Sequence, residues 1–331
     1  MKKVGIVGLG EYLPERVLTN ADLEKMVETS DEWITTRTGI KERRLSSPGQ
    51  ATSDLAYKAS VQALERARLE PGELELIVVA TITPDMPFPS VACFLQNALA
   101  ARNAVCFDLS AACSGFLYAL SVAQQFIANG TYKNALVVGA EVLSSVTDWT
   151  DRNTCVLFGD GAGAAVLGEV ETGGIRSIYL GSDGSKSDLL QIPGGGSRNP
   201  ASEETIAQRQ HYIKMQGNEL FKFAVTLMAN AAQAAIERAG LQCGDIDLVI
   251  PHQANIRIIQ AVARKLGLGE DKLFLNIAKY GNMSAASTTT ALCEAVTEGR
   301  VKKGDIVLLV AFGAGLVWGS CVIEWQGGNH D

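Results

Sequence analysis

The sequence lacks a run of apolar residues long enough for a membrane-spanning helix, and it lacks an excess of basic residues. A spanning helix needs about 18 or more consecutive apolar residues, and the 331-residue sequence has no such run. Its 29 lysines and arginines are outnumbered by 36 aspartates and glutamates, which gives a net charge of −7. Binding to nucleic acid depends on clustered positive charge. We therefore expect neither membrane insertion nor general affinity for nucleic acid.

Metal-ligand spacing is also absent. The seven cysteines are scattered along the chain, at positions 93, 106, 113, 155, 243, 293 and 321. An odd set without paired spacing predicts free thiols in a reducing compartment rather than disulfides or a metal centre. Residues 1–5 lead directly into a predicted strand, with no apolar signal segment. These features predict a cytoplasmic protein that holds no metal.

Neither glycine-rich stretch completes a nucleotide-binding pattern. Residues 8–14 lack the third glycine of a dinucleotide fingerprint, and residues 159–166 lack the Gly-Lys-Ser/Thr of a phosphate-binding loop. We therefore expect no bound cofactor.

The sequence does contain a duplication. Residues 63–76 and 235–248 are identical at half of their positions, and each segment reads as a helix end, a glycine-containing turn and a strand. The strands are apolar throughout, as expected for sheets that helices cover on both faces. We predict two α/β halves, residues 1–172 and 173–331, each with a mixed sheet and with helices packed between and outside the sheets.

The alignment of the two halves extends beyond these segments. Residues 107–109 align with 275–277, and a predicted helix over 114–128 aligns with one over 284–297. Both helices are apolar nearly all round, which is typical of buried helices. We expect them to lie between the two sheets.

Three residues with reactive or polar side chains each follow a predicted strand. Cys113 starts the first buried helix, and Asn282 precedes the second, near the equivalent position. His252 follows an apolar strand and is the only one of the three histidines to do so. Ligand sites of α/β proteins form at the carboxyl ends of strands, so we expect these side chains to converge. The free N–H groups of the helix start favour a Cys113 thiolate.

This set of residues supports acyl transfer. Cys113 can hold an acyl group as a thioester, and His252 and Asn282 can donate hydrogen bonds to a developing oxyanion. Residues 311–315 end another strand, and their backbone N–H groups could form a second oxyanion hole. No acidic residue that would orient His252 is evident, so transfer to a carbon nucleophile is favoured over hydrolysis.

Three motifs carry a resemblance to a known family: DLSAACSG at 108–115, PHQANIR at 251–257 and YGNMSAAS at 280–287. With these motifs, the chain resembles β-ketoacyl-acyl carrier protein synthase III over essentially its whole length. The resemblance implies the thiolase-like fold, in which duplicated α/β halves form a five-layered α-β-α-β-α arrangement. It also implies a homodimer that condenses an acyl-CoA, usually acetyl-CoA, with malonyl-acyl carrier protein, initiating type II fatty acid synthesis.

The resemblance assigns roles to single residues. It implies that Cys113 carries the acyl group, that His252 and Asn282 stabilise the malonyl enolate, and that the backbone N–H groups of Cys113 and Ala314 form the oxyanion hole. Other matched positions are grouped by partner: Trp33, Arg37, Arg152 and Asn255 for CoA; Gln253, Ala254, Asn255, Ile256, Arg257 and Lys222 for the carrier protein; Phe88 and Met215 for the acyl pocket, with Phe88 crossing the dimer interface.

Several alternatives remain open from the sequence. A related enzyme could prime a polyketide or another secondary pathway, and a Cys-His-Asn thioester hydrolase would release free acid without using malonyl groups. A thiolase would need a second reactive cysteine near residues 312–315, and an elongating synthase would usually have a histidine in place of Asn282. A non-catalytic carrier-binding subunit would not need all three reactive residues. The sequence leaves the starter acyl chain undetermined.

Overall fold

The computed structural model describes residues 2–327. The strands within this range are β1 (Val4–Tyr12), β2 (Arg16–Thr19), β3 (Glu42–Leu45), β4 (Leu76–Ala80), β5 (Val105–Leu109), β6 (Asn134–Glu141), β7 (Gly161–Glu169), β8 (Gly174–Ser182), β9 (Leu190–Gln191), β10 (Lys214–Met215), β11 (Leu248–Pro251), β12 (Ile306–Gly313) and β13 (Val317–Glu324). The helices are α1 (Asn20–Leu23), α2 (Asp31–Thr38), α3 (Thr52–Ala67), α4 (Val91–Ala98), α5 (Gly115–Ala128), α6 (Arg152–Cys155), α7 (Glu203–Ala207), α8 (Gly217–Arg238), α9 (Ile256–Leu266), α10 (Ile277–Tyr280) and α11 (Ala286–Thr297).

The first large sheet has the strand order β1-β7-β6-β4-β5. Strand β4 runs parallel to β5 and β6, whereas β7 is antiparallel to β6 and β1. Every residue of β4 is buried, because helices cover both faces of the sheet. Helix α3 approaches β1 closely, since a Cβ added at Gly10 would lie 2.1 Å from the carbonyl oxygen of Ala59. Glycine is therefore required at that contact.

The second large sheet has the order β8-β13-β12-β11, which repeats the first four strands of the first sheet. Its edge strand β11 runs parallel to β12, and the other two pairs are antiparallel. The counterpart of β5 is reduced to one bridge between Val249 and Leu273. Residues 275–277, which align with β5 in sequence, form no strand and lead into α10. The chain leaves the first sheet at Glu169 and enters the second at Gly174.

Three clusters of buried apolar side chains separate five layers. The first cluster joins the two sheets through α5 and α11, as Phe116 and Leu292 illustrate. A second packs α3 and α4 on the outer face of the first sheet, and a third packs α8 and α9 on the outer face of the second. The expected five-layered thiolase-like fold is confirmed. Its two central helices begin side by side, since a Cβ added at Gly115, the first residue of α5, would lie 3.5 Å from the Cβ of Ala285, which precedes α11.

None of the helices within residues 2–327 has both the length and the apolar character that crossing a membrane requires.

Candidate active site

Cys113 lies in a 3₁₀ turn, Ala112–Ser114, that leads directly into α5. The preceding residue, Ala112, has a left-handed backbone with φ of 43°. The thiol is buried, and burial is the main reason that its pKa is raised to about 12. The nearby carboxyl of Glu141 also contributes to this rise. The expectation of a ready thiolate is therefore wrong. Removal of the thiol from water outweighs the helix start.

His252 follows β11, and its backbone N–H donates to the carbonyl of Val310 at 2.8 Å. The imidazole is buried, which lowers its pKa to about 4 and keeps it neutral near pH 7. Its Nδ1 lies 2.5 Å from the hydroxyl oxygen of Ser287. A hydroxyl, rather than a carboxylate, thus orients this ring. Such a site lacks the Asp or Glu that orients the histidine of a Ser-His-Asp hydrolase.

Asn282 is held by its backbone and by one end of its carboxamide. Its N–H donates to Leu157 at 2.9 Å, and its carbonyl accepts from Gly159 at 3.0 Å. The side-chain Oδ1 accepts from the backbone N–H of Ser284 at 2.9 Å. An amide oxygen engaged in this way identifies the other side-chain atom as NH₂. The NH₂ group of Asn282 is therefore the end left to donate.

Two serines connect these three residues. The hydroxyl of Ser287, which contacts His252, is also 3.0 Å from the carbonyl oxygen of Ser284. Ser284 lines the same cavity as Cys113, and its backbone N–H donates to Asn282 Oδ1. Sequence reasoning quoted both serines within the third motif but gave neither a role. Both serines lie as close in sequence to the start of α11 as Asn282 does, and this position was the signal that could have identified them.

The loop after β12 completes the surroundings of Cys113. A Cβ added at Gly313 would lie 2.7 Å from the backbone nitrogen of Cys113, so only glycine allows this approach. Ala314 and Gly315 line the same cavity as Cys113. The expected pair of backbone donors, from Cys113 and Ala314, therefore lies at one site.

Cys113 opens into a cavity of about 430 Å³. Its walls are mainly apolar, and the side chains that form them include Ile82, Leu143, Phe158, Leu190, Ile192 and Ile213. Met215, expected in the acyl pocket, pairs with the lining residue Leu190 across β9 and β10 but is not itself among the residues that line the cavity. Phe88 lies outside the cavity and is 83% exposed. Sequence reasoning missed the actual lining because it comes from five separate loops and strand ends.

The residues expected at the CoA site are close together. The guanidinium carbons of Arg37 and Arg152 lie 4.9 and 5.0 Å from the ring centroid of Trp33. Asn255 caps the N-terminus of α9 by accepting from the backbone N–H of Arg257 at 2.9 Å. Helix α2, which carries Trp33 and Arg37, ends against the start of α9. An aromatic ring with two cations at a surface can bind a stacked base and phosphates.

The residues expected at the carrier-protein site divide into two groups. Arg257 and Lys222 are exposed. Two further basic residues on α9, Arg264 and Lys265, are exposed as well. Gln253 is fully buried and joins the carbonyls of Pro251 and Phe274 to the N–H groups of Asn276 and Ile277. Its assignment as a carrier contact is wrong, because its side chain braces the interior. Ala254 and Ile256 are partly exposed at the start of α9.

Duplicated α/β halves, a buried cysteine at an apolar cavity, and a buried histidine and asparagine define a condensing enzyme of the thiolase type. Two family models match the chain: 3-oxoacyl-[acyl-carrier-protein (ACP)] synthase III over residues 107–184 and the C-terminal part of the same enzyme over 236–325. The β-ketoacyl-[acyl-carrier-protein] synthase III of Caldanaerobacter subterraneus subsp. tengcongensis is 61% identical, covering 97% of this chain and 98% of that protein.

Solved structures agree with the family models. The crystal structure of 3-oxoacyl-[acyl-carrier-protein] synthase III from Aquifex aeolicus matches with a TM-score of 0.91 and 50% identity, covering 97% of this chain and all of that one. The priming β-ketosynthase of the R1128 polyketide pathway matches with a TM-score of 0.92 but 35% identity, over 98% of this chain and 97% of that one. The chain belongs to the 3-oxoacyl-[acyl-carrier-protein] synthase III family. It is an acyltransferase of fatty acid synthesis that carries out the initiating condensation.

Proposed function

We propose that Cys113 takes an acyl group from acyl-CoA and passes it to the carbon nucleophile formed from malonyl-acyl carrier protein. The observation that carries this proposal is the position of Cys113 at an apolar cavity, against the backbone of Ala314 and Gly315. There the backbone N–H groups can stabilise the tetrahedral intermediates that form and break the thioester. No cofactor is required by this chemistry, and the free thiols fit a reducing cytoplasm.

His252 and Asn282 serve the second half of the reaction. The malonyl group loses CO₂, and its electrons form an enolate that attacks the Cys113 thioester and releases the thiol. The NH₂ of Asn282 can donate to the enolate oxygen. Neutral His252 can donate to the enolate as the Nε2–H tautomer, in which the single proton of the Ser287 hydroxyl is directed to Nδ1 and not to the carbonyl of Ser284.

The starter group is proposed to be acetyl, with room for larger groups. An acetyl group has three heavy atoms and occupies roughly 90 Å³ if each takes the volume of a water molecule. The cavity of about 430 Å³ is several times larger, and part of it must admit the pantetheine arm. A longer or branched acyl chain therefore has space against the side chains of Ile82 and Leu143.

CoA and the carrier protein are proposed to bind at neighbouring surfaces. Trp33, Arg37 and Arg152 provide the aromatic ring and cations for the CoA nucleotide, and Asn255, at the start of α9, is proposed as a further CoA contact. The basic surface formed by Lys222, Arg257, Arg264 and Lys265 would receive the carrier protein. Since the whole chain has a net charge of −7, an acidic partner must be attracted by such a local patch.

We propose that the enzyme is a homodimer formed through β5. This strand is at the edge of the first sheet, and its Val105 is 50% exposed. Met86 and Phe88 nearby are 44% and 83% exposed. An apolar edge of this kind invites pairing with a second copy. Pairing would also carry Phe88 toward the acyl pocket of the partner.

The central test measures acyl-enzyme and product masses for a panel of acyl-CoAs with malonyl-acyl carrier protein. The expected results are an acyl group on Cys113 and a 3-oxoacyl-acyl carrier protein, both with acetyl-CoA. Release of free acid without use of malonyl groups would instead identify a thioester hydrolase. A preference for other starters over acetyl would support a secondary pathway.

A further inference from the structure

A charged side chain that the proposed mechanism does not use is buried close to the site. Arg43 lies on β3 and is fully buried. None of the ion pairs within residues 2–327 includes it. Burial of a charge is costly unless hydrogen bonds replace the water that the charge loses. The groups that bind this guanidinium therefore indicate what the buried arginine does.

Arg43 donates hydrogen bonds to three oxygen atoms. Its Nη1 donates to the backbone carbonyl of Leu18 at 3.1 Å and to Oδ1 of Asn20 at 2.9 Å. Its Nη2 donates to the backbone carbonyl of Val156 at 2.8 Å. Leu18 is the strand partner of Arg43, so that hydrogen bond is local. The other two reach separate segments of the chain, and each segment leads to residues of the proposed CoA site.

Asn20 connects Arg43 to helix α2. Its side chain is buried, and because arginine can only donate, the atom that faces Arg43 is the amide oxygen. The Nδ2 of Asn20 donates to Oδ1 of Asp31 at 2.7 Å and to the carbonyl of Ile40 at 2.8 Å. Asp31 is the first residue of α2, and Ile40 follows the residue that caps its end. One amide thus holds both ends of the helix that carries Trp33.

Val156 connects Arg43 to helix α6. Val156 caps the C-terminus of α6, and Arg152 is the first residue of that helix. The guanidinium carbon of Arg152 lies 5.0 Å from the ring centroid of Trp33. Helix α2 has eight residues and α6 has four, and helices this short are not stable in isolation. Contacts with the rest of the fold must therefore set their positions, and Arg43 provides such contacts to both.

The segment that follows α6 also holds Asn282. Leu157 and Gly159 make the two backbone hydrogen bonds of Asn282, at 2.9 and 3.0 Å. A Cβ added at Gly159 would lie 3.1 Å from the Cβ of Arg43, and one added at Gly281 would lie 3.3 Å from the same atom. The aliphatic part of Arg43 therefore packs against the backbone that holds Asn282.

We propose that Arg43 is a positioning residue for both half-reactions, and that Asn20 extends its action to α2. Arg43 is not among the residues that line the cavity of Cys113, so it acts through the groups that it holds. The planar guanidinium donates in fixed directions, which sets the CoA-binding helices in place relative to Asn282. This inference rests on the proposed function, from which the roles of the CoA residues and of Asn282 are taken.

The test compares a variant that removes every hydrogen bond of the guanidinium with one that detaches α2 alone. The Kd for CoA is measured by calorimetry, and decarboxylation by labelled CO₂ released from malonyl-acyl carrier protein at saturating acetyl-CoA. Arg43→Met should raise the Kd about tenfold and slow decarboxylation about tenfold, because small displacements of binding and catalytic groups are costly. Asn20→Ala should raise the Kd about tenfold but change decarboxylation less than about twofold, since the hydrogen bond from Arg43 to Val156 remains.

Arg66→Met is the matched control. Arg66 lies on α3, on the outer face of the first sheet, and it also donates to a backbone carbonyl, that of Leu9, at 2.9 Å. Its replacement should lower the free energy of unfolding, measured by urea titration, without changing the Kd for CoA or the rate of decarboxylation. A loss of stability alone therefore does not reproduce the expected pattern.

Two results would overturn the proposal. The first is an Arg43→Met protein that is less stable but keeps both the Kd and the decarboxylation rate within about twofold of wild type. The second is an Asn20→Ala protein in which decarboxylation slows as much as CoA binding weakens, and this result decides even if Arg43→Met does not fold. If Trp33→Ala leaves the Kd for CoA unchanged, the proposed CoA site itself fails instead.

Discussion

Replacing Asn282 tests how the two half-reactions are divided between residues. Its Oδ1 is held by the backbone N–H of Ser284 at 2.9 Å, and its NH₂ is the proposed donor to the enolate. Asn282→Ala removes the donor and the hydrogen bond together. Asn282→Asp keeps an oxygen for Ser284 but places a second oxygen, with negative charge, where the donor stood. The pair therefore separates the donor function from the local fold.

The expected loss of rate follows from the role of Asn282 as a hydrogen-bond donor to the enolate. Loss of one oxyanion donor costs about 10²–10³ in rate, or about 2.7–4 kcal/mol of transition-state stabilisation. We expect Asn282→Ala to slow decarboxylation by that factor. Asn282→Asp should be slower still, because its charge opposes the enolate in a site that is 7% exposed. Acylation of Cys113 should change less than about threefold in Asn282→Ala, since the enolate has not yet formed.

The assay follows each half-reaction separately. Labelled CO₂ released from malonyl-acyl carrier protein reports decarboxylation, and intact mass after a pulse of acetyl-CoA reports acylation. His252→Ala provides a second donor deletion, which should also slow decarboxylation far more than acylation. Equal losses in the two half-reactions, or an Asn282→Asp variant faster than Asn282→Ala, would refute the assignment of the NH₂ as donor.

Four further outcomes are expected. Cys113→Ala should abolish the acyl-enzyme seen by mass, and an adduct at another cysteine at a comparable rate would contradict this. Arg257→Glu should raise the KM for malonyl-acyl carrier protein about tenfold while acetyl-CoA acylation is retained. Damage to both half-reactions would show that the basic surface is not a specific site for the carrier protein. Gly139→Ala should lower the free energy of unfolding by about 1–3 kcal/mol, measured by urea titration, since its Cβ would clash with Ala285. Val105→Lys should shift the dimer toward monomer in light scattering, and an unchanged mass would exclude β5 as the interface.

The fold could be predicted from the sequence because the patterns that determine it lie within short segments of the chain. Apolar strands, helices with an apolar circumference and glycine-containing turns repeat in order, so the duplication was visible before any contact was known. The sheets then follow from covering each strand on both faces. The missing fifth strand of the second sheet could not be predicted, because residues 275–277 and 107–109 have similar composition. Their difference arises where Gln253 binds the N–H groups of Asn276 and Ile277.

The site was predictable in its members but not in their environment. Cys113, His252 and Asn282 follow strands, and strand ends meet at one edge whatever the details of packing. The environment of these residues depends on burial, and burial depends on the whole fold. Gln253, expected at the surface, is buried and braces the interior, and Met215 is not among the residues that line the cavity. Glu141 gave no signal in sequence, because a single glutamate at a strand end is usually solvated.

The correction at Cys113 changes how the reactivity of the enzyme is understood. A helix start alone would give a thiolate at all times, open to oxidation and alkylation in the absence of substrate. Burial instead raises the pKa of Cys113 to about 12 and lowers that of His252 to about 4, so both groups are neutral near pH 7. We therefore expect charge to develop only when an acyl group is bound beside the proposed oxyanion donors, the backbone N–H groups of Cys113 and Ala314. Reactivity is thereby coupled to the presence of substrate, and resting thiols should resist oxidation more than the helix position suggests.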